Sequence, residues 1–200
     1  QAESPELKAT YEAAVRAQAE FDFDKAKVQY AAALERWQKQ VAAGKPSPRR
    51  PVDPAERLPR HGGPVGLFQG KIPALVPYAL RGVVWYQGEA NSQPGKGGLY
   101  QHQLPLLVSD WRARWGEELP FAWVQLPNFR RSGDGWMLVR EGMLKSLRLP
   151  RTGMAITVDI GDPTDIHPKN KQEVGRRLAL WALGDVYGRD GIATSGPLPA

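Results

Sequence analysis

No cysteine occurs in the 200 residues, so neither a disulfide nor a thiolate metal site forms within them, and redox compartment cannot be inferred. Histidine is scarce as well: His61 falls in a linker, His102 on an expected helix, and neither has metal-ligand spacing to a partner. Only His167 stands among acidic neighbours. No stretch approaches the about 18 consecutive apolar residues that a membrane-spanning helix requires. Nor is charge of one sign gathered on a helix or stripe. The net charge is +6, and the excess concentrates in "GKPSPRRPVDPAERLPRHGG" (44–63), where five Lys/Arg meet only Asp53 and Glu56. That segment has no aromatic side chain to stack on a base, so a nucleic-acid partner is not expected and a solvated linker is. The opening "QAESPELKAT" lacks Met and a basic-then-apolar segment and enters a helix directly, the pattern of a processed chain or a fragment.

What is present divides the chain in three. Residues 1–43 are rich in Ala, Glu, Lys and Gln, and Leu7, Tyr11, Ala14, Val15 and Gln18 follow helical spacing. Val28, Ala31, Ala32, Leu34 and Trp37 do so again. Ser4 is placed to cap with Pro5 at the first helical position, and "EFDFDKA" offers a break, because Asp starts helices better than it continues them. A helical hairpin or one bent helix ending at Gly44 is expected, as an interaction or covering element. Residues 44–64 form a Pro/Arg-rich linker.

From residue 65 the character changes. "GVVWY" (82–86), "PFAWVQL" (120–126) and "MAITVDI" (154–160) are short runs rich in β-branched and aromatic residues, the signature of strands buried in a parallel sheet. Helical patterns lie between them at 98–116, 136–149 and 168–188. Strand alternating with helix predicts an α/β fold, a parallel sheet flanked by helices. Ligands of such sheets bind beyond the carboxyl ends of the strands. "QGEAN", "PNF" and "GDPTDIHP" follow the three strands directly, so three polar clusters are expected at one sheet edge.

Two clusters hold side chains fit for chemistry. In "DIGDPTDIHP" (159–168), His167 follows Asp165 by two residues and Asp162 by five. A histidine acting as general base needs a carboxylate to orient its ring and stabilise its charged form. A helix-capping Asp165 beside a surface His167 is the plainer alternative. A calcium loop on Asp159, Asp162 and Asp165 fails, because Pro163 interrupts it and no closing Glu follows on schedule. In "WYQGEAN", Gly88 lets the backbone N–H approach a ligand, while Gln87 and Asn91 carry amide donors suited to an oxyanion. Glu89 can accept from a sugar hydroxyl or steady a neighbouring loop.

Together, "GVVWYQGEAN" and "DIGDPTDIHPKNKQEVGRRLALWA" resemble the signature blocks of the sialate O-acetylesterase family of SGNH-type carbohydrate esterases, with "VPYALRG" and "FAWVQLPNF" also fitting, over roughly residues 65 to 197. The resemblance implies a partial SGNH-hydrolase-like domain at 65–200, preceded by the helical insertion. It implies catalytic His167 with acid Asp165, Asp162 standing behind it, and Gln87, Gly88, Glu89 and Asn91 lining the oxyanion and substrate pocket. The implied substrate is an acetylated sugar or glycan, with no cofactor and no metal, in a secreted or periplasmic setting. The chain departs from the pattern in several places. Thr164 occupies the position three before the histidine where the acid is usual, Gln69 and Lys71 alter an Asn-Gly-Met segment, and Gly142-Met143 replace Ala-Gln. The nucleophile block, Gly-Gln-Ser-Asn, is absent. Ser92, the nearest serine in sequence, sits in a Pro/Gly loop. The expectation is a chain lacking the N-terminal part of its protein, with the serine outside it; a non-catalytic glycan-binding or interaction module on the same fold is the alternative.

Overall fold

The computed structural model describes residues 4–44, 49–57, 65–76, 78–130 and 133–196. They fall into two units, Gln1–Leu75 and Val76–Ala200.

The first unit is helical. Helix α1 spans Pro5–Ala19 and α2 spans Phe23–Ala42. The break falls where the acidic residues stand: the Asp22 side chain accepts from the Lys25 amide at 2.9 Å and caps α2. Ser4 occupies the cap position of α1 but turns its hydroxyl to Glu6 instead, at 2.6 Å. Neither helix buries a residue. Within the expected linker, Pro54–Arg57 forms a single helical turn, α3, which packs against α2; residues 45–48 and 58–64 lie outside the described residues. Helix α4 spans Gly66–Lys71.

The second unit holds the sheet. Strands β1 (Val83–Trp85), β2 (Phe121–Val124) and β3 (Thr152–Ala155) lie in that order and are parallel throughout. Helix α5 (Tyr100–Trp115) joins β1 to β2, α6 (Asp134–Lys145) joins β2 to β3, and α7 (Lys171–Trp181) follows β3. The expected α/β architecture, a parallel sheet flanked by helices, is the one observed.

Register explains which residues meet which helix. Side chains alternate across a strand, so Trp85, Trp123 and Met154, paired across the sheet, share one face. That face meets Tyr100, Leu104 and Val108 of α5 and Trp136, Val139 and Met143 of α6 in one buried cluster. Each such large apolar side chain contributes about 1.5–3 kcal/mol on full burial. The intervening row, Val84, Ala122 and Gly153, lies on the other face, where α7 packs on β2 and β3. Gly153 is bare for a reason: the Trp181 indole lies where its Cβ would stand.

Three expectations need correction. β1 is not buried on both faces, since Val84 is 63% exposed beyond the reach of α7. β3 ends at Ala155 rather than Ile160, because β2 ends at Val124 and offers Ala155 a last ladder bond from the Gln125 amide. Pro168 does not begin the last helix; the Asn170 side chain caps α7 by accepting from the Glu173 amide at 3.2 Å.

Candidate active site

A parallel sheet delivers all its strand ends to the same edge, so the segments after Trp85, Val124 and Ala155 emerge together. The first is built around Gly88. Its φ of 151° is a conformation L side chains rarely adopt, and a Cβ would lie 3.0 Å from Met143 Cε and 3.3 Å from Leu126 Cδ2. The bare backbone therefore drops onto the core, and a short 3₁₀ turn follows at Glu89–Ser92. That turn aims Asn91 back at the strand.

The amides of this loop are joined in a chain. Gln87 Nε2 donates to Asn91 Oδ1 at 2.7 Å, and Asn91 Nδ2 donates to Gln103 Oε1 of α5 at 2.7 Å. The Tyr100 hydroxyl stands 3.1 Å from the Gln87 carbonyl and 3.2 Å from Gln87 Oε1, while the Trp85 indole donates to it at 3.3 Å. Burial pushes the Tyr100 phenol up to about 12 and keeps it a proton donor at ordinary pH. Glu89, half-buried, adds its charge to the same effect. The Ser92 hydroxyl is committed to the Glu89 carbonyl at 2.7 Å.

The second segment is tied to α6 and to the third segment. The Trp136 indole donates to the Pro127 carbonyl, and Thr157 Oγ1 donates to that of Gln125 at 2.5 Å. Gly161 lies so close to Asn128 that no side chain fits between them.

The third segment carries Asp165 and His167. Its root is clamped by Arg177 of α7, whose guanidinium bonds Asp159 through both carboxylate oxygens, at 2.7 and 2.6 Å, and also reaches the Ile156 carbonyl and Glu173. The Arg177 hydrogen bond pulls the Asp159 carboxyl down to about 2. Further along, Asp162 Oδ1 accepts from the Thr164 amide and hydroxyl and the Asp165 amide, shaping a tight turn. Asp165 Oδ1 accepts from the His167 backbone amide at 2.9 Å and stands 3.8 Å from His167 Nδ1. The imidazole is 87% exposed. The segment ends at Lys171, whose ammonium lies 3.0 Å from the Tyr86 hydroxyl, one residue before Gln87.

The segment carrying Gln87, Gly88, Glu89 and Asn91 and the segment carrying Asp165 and His167 thus leave the sheet at the same edge, and Lys171 and Tyr86 join them. A cavity of about 360 Å³ lies elsewhere, lined by Met154, Ile156, Leu180 and Thr194 among others and by none of those six residues. Among the described residues, no three His, Asp or Glu gather as a metal site. Tyr100, Gln103 and Lys171 were not anticipated. The signal for Tyr100 was present, because positions 100, 104 and 108 repeat at helical spacing as one buried stripe.

Residues 69–183, which include all three strands and the segments after them, match the family described as carbohydrate esterase, sialic acid-specific acetylesterase. The chain is 34% identical to the sialate O-acetylesterases of Mus musculus and Homo sapiens over 154 residues, covering 66% of this chain and 28% and 29% of those proteins. The corresponding enzyme of Rattus norvegicus is 32% identical over an alignment of 170 residues, covering 74% of this chain and 31% of that protein. The fold is similar to that of a carbohydrate acetylesterase from Xanthomonas citri, with a TM-score of 0.64 and 45% identity over 67% of this chain and 32% of that one. The chain therefore spans under a third of the length of these relatives. With more than half of its length matched by the family, the chain belongs to the sialic acid-specific acetylesterases, a family of carbohydrate esterases.

Proposed function

We propose that this chain forms part of an esterase that removes O-acetyl groups from sugars, acetylated sialic acid or another acetylated glycan, and that it supplies the general base and the oxyanion donors. The observation that carries this reading is the shared sheet edge, where the Gln87–Asn91 loop and the Asp165–His167 loop are joined by Lys171 and Tyr86.

The chemistry follows from those groups. A serine supplied from outside these residues attacks the acetyl carbonyl carbon, and His167 Nε2 takes its proton. Asp165 orients the ring through Nδ1, after a small rotation closes the 3.8 Å gap. The negative charge that develops on the carbonyl oxygen is met by N–H groups of Gln87, Gly88 and Asn91. Collapse breaks the bond to the sugar oxygen, which leaves with the proton held by His167. Water, deprotonated by His167, then releases acetate and restores the serine. No cofactor takes part. Four of the described serines are placed for other work: Ser92, Ser146 and Ser195 each donate to a backbone carbonyl, and Ser4 to Glu6. The setting is secreted or periplasmic, a reading that rests on family resemblance. Among the described residues no helix is long and apolar enough to cross a membrane.

The separation and exposure of His167 favour a second reading, a glycan-binding module without chemistry. A serine-reactive fluorophosphonate distinguishes the two. Applied to the complete protein containing this chain, it is expected to label one serine outside residues 1–200, with labelling lost in His167→Ala. No labelling, or labelling that ignores His167, would remove the enzymatic reading.

A further inference from the structure

Resting on that reading, we propose that Gln103 is a positioning residue, which together with Tyr100 fixes the orientation of the two amides that face the reacting acetyl group. A carboxamide offers an oxygen and an NH₂ that are nearly the same shape, so an unrestrained Asn or Gln presents a donor or an acceptor indifferently. An oxyanion hole cannot tolerate that, because a carbonyl oxygen turned toward the developing charge repels it.

The hydrogen-bond chain removes the ambiguity by its direction. It starts at the Trp85 indole, which can only donate, and it donates to the Tyr100 hydroxyl at 3.3 Å. The Tyr100 proton is thereby turned toward the two oxygens of Gln87, at 3.1 and 3.2 Å. With Oε1 held there, Gln87 presents its NH₂ to Asn91 Oδ1, and Asn91 in turn presents its NH₂ to Gln103 Oε1. Every amide oxygen in the relay then has a donor. Each of Gln87 Nε2 and Asn91 Nδ2 makes one hydrogen bond among the described residues, and each has one N–H left for a ligand. Gln103 closes the relay from a different element, α5, the helix whose buried side positions Tyr100. With the phenol pushed up to about 12 by burial, the relay keeps its direction at ordinary pH.

The test replaces Gln103 with Met, similar in size and at most a weak acceptor. In the 200-residue chain labelled with ¹⁵N at Asn and Gln, the Asn91 side-chain NH₂ is expected to show one slowly exchanging proton, with protection falling at least about fivefold in Gln103→Met. Unchanged protection would overturn the relay whatever the enzyme does. In the complete esterase, Gln103→Met is expected to lower kcat about tenfold with KM within about twofold. It should have no further effect in an Asn91→Ala background, where nothing is left to orient. Additive losses in the double variant, or an unchanged kcat in the single one, would contradict the positioning role. If the wild-type protein hydrolyses no acetyl ester, the esterase reading has failed, and the amide exchange still decides the relay.

Discussion

The Lys171 ammonium stands 3.0 Å from the Tyr86 hydroxyl and 4.5 Å from the centre of its ring, so one side chain spans residues 85 positions apart and ties the ends of two loops. On one side of this tie, four residues back, is His167; on the other, one residue on, is Gln87. Lys171→Met is expected to lower kcat/KM of the complete esterase about tenfold by loosening both loops. Tyr86→Phe, which keeps the ring for the cation and loses the hydroxyl, should cost less. Steady-state kinetics on both variants check this; equal losses would show that the hydroxyl bond, rather than the ring contact, carries the tie.

Arg177 makes a separate prediction about acid stability. Its hydrogen bonds hold Asp159 at about 2, against an ordinary value of 3.8, and with Arg176 they hold Glu173 at about 2 against 4.5. A carboxyl whose folded value is depressed stabilises the fold fully above its unfolded value and loses that contribution as pH falls through the folded one. The loss is therefore expected between about pH 4.5 and 2. Because Asp159 is 55% exposed, solvent screening limits its pair with Arg177 to about 0.2–1 kcal/mol. Thermal melting from pH 6 to 2 should show a shallower acid decline in Arg177→Met than in wild type; parallel curves would show that the clamp does not contribute.

Gly153 carries a packing prediction. A methyl group there enters the Trp181 indole, which is itself 6% exposed and has little room to retreat. Gly153→Ala is expected to destabilise the second unit by about 1–3 kcal/mol. Denaturant unfolding followed by tryptophan fluorescence measures it. Val84→Thr, on the same row but 63% exposed, should change stability by less than about 0.5 kcal/mol.

Gly88→Ala should be worse than its single methyl implies, because strain at φ 151° adds to contacts with Met143, Val139 and Leu126. Loss of folded protein, or a fall in thermal midpoint accompanied by loss of activity, is expected. A variant that kept both would place the backbone turn outside the catalytic machinery.

β2 was legible because every one of its residues is buried and it is written as an unbroken apolar run. The same signal misled at β3. Ile156 continues the apolar run and packs against the core, yet β2 has no residue left to pair with it, so the run reported burial rather than pairing. The helix start was misplaced because proline's preference for a first turn was weighed above the cap chemistry of Asn170. Of the candidate site, the position of its loops at the strand ends was legible, since topology alone starts them at one edge. Gln103 and Lys171 were not, because each acts from a helix through a bond that sequence spacing does not announce. The small residue at 142 reads as a departure from the family pattern; close approach of Gln101 explains it.

The most direct test measures acetate released from O-acetylated sialic acid by the complete esterase and by its His167→Ala and Asn91→Ala variants at neutral pH. The account predicts that kcat falls about a thousandfold for the first and about a hundredfold for the second, with KM changed less than about threefold, because both groups act on the reacting acetyl rather than on ground-state binding. Acetate release by His167→Ala within about threefold of wild type would contradict it.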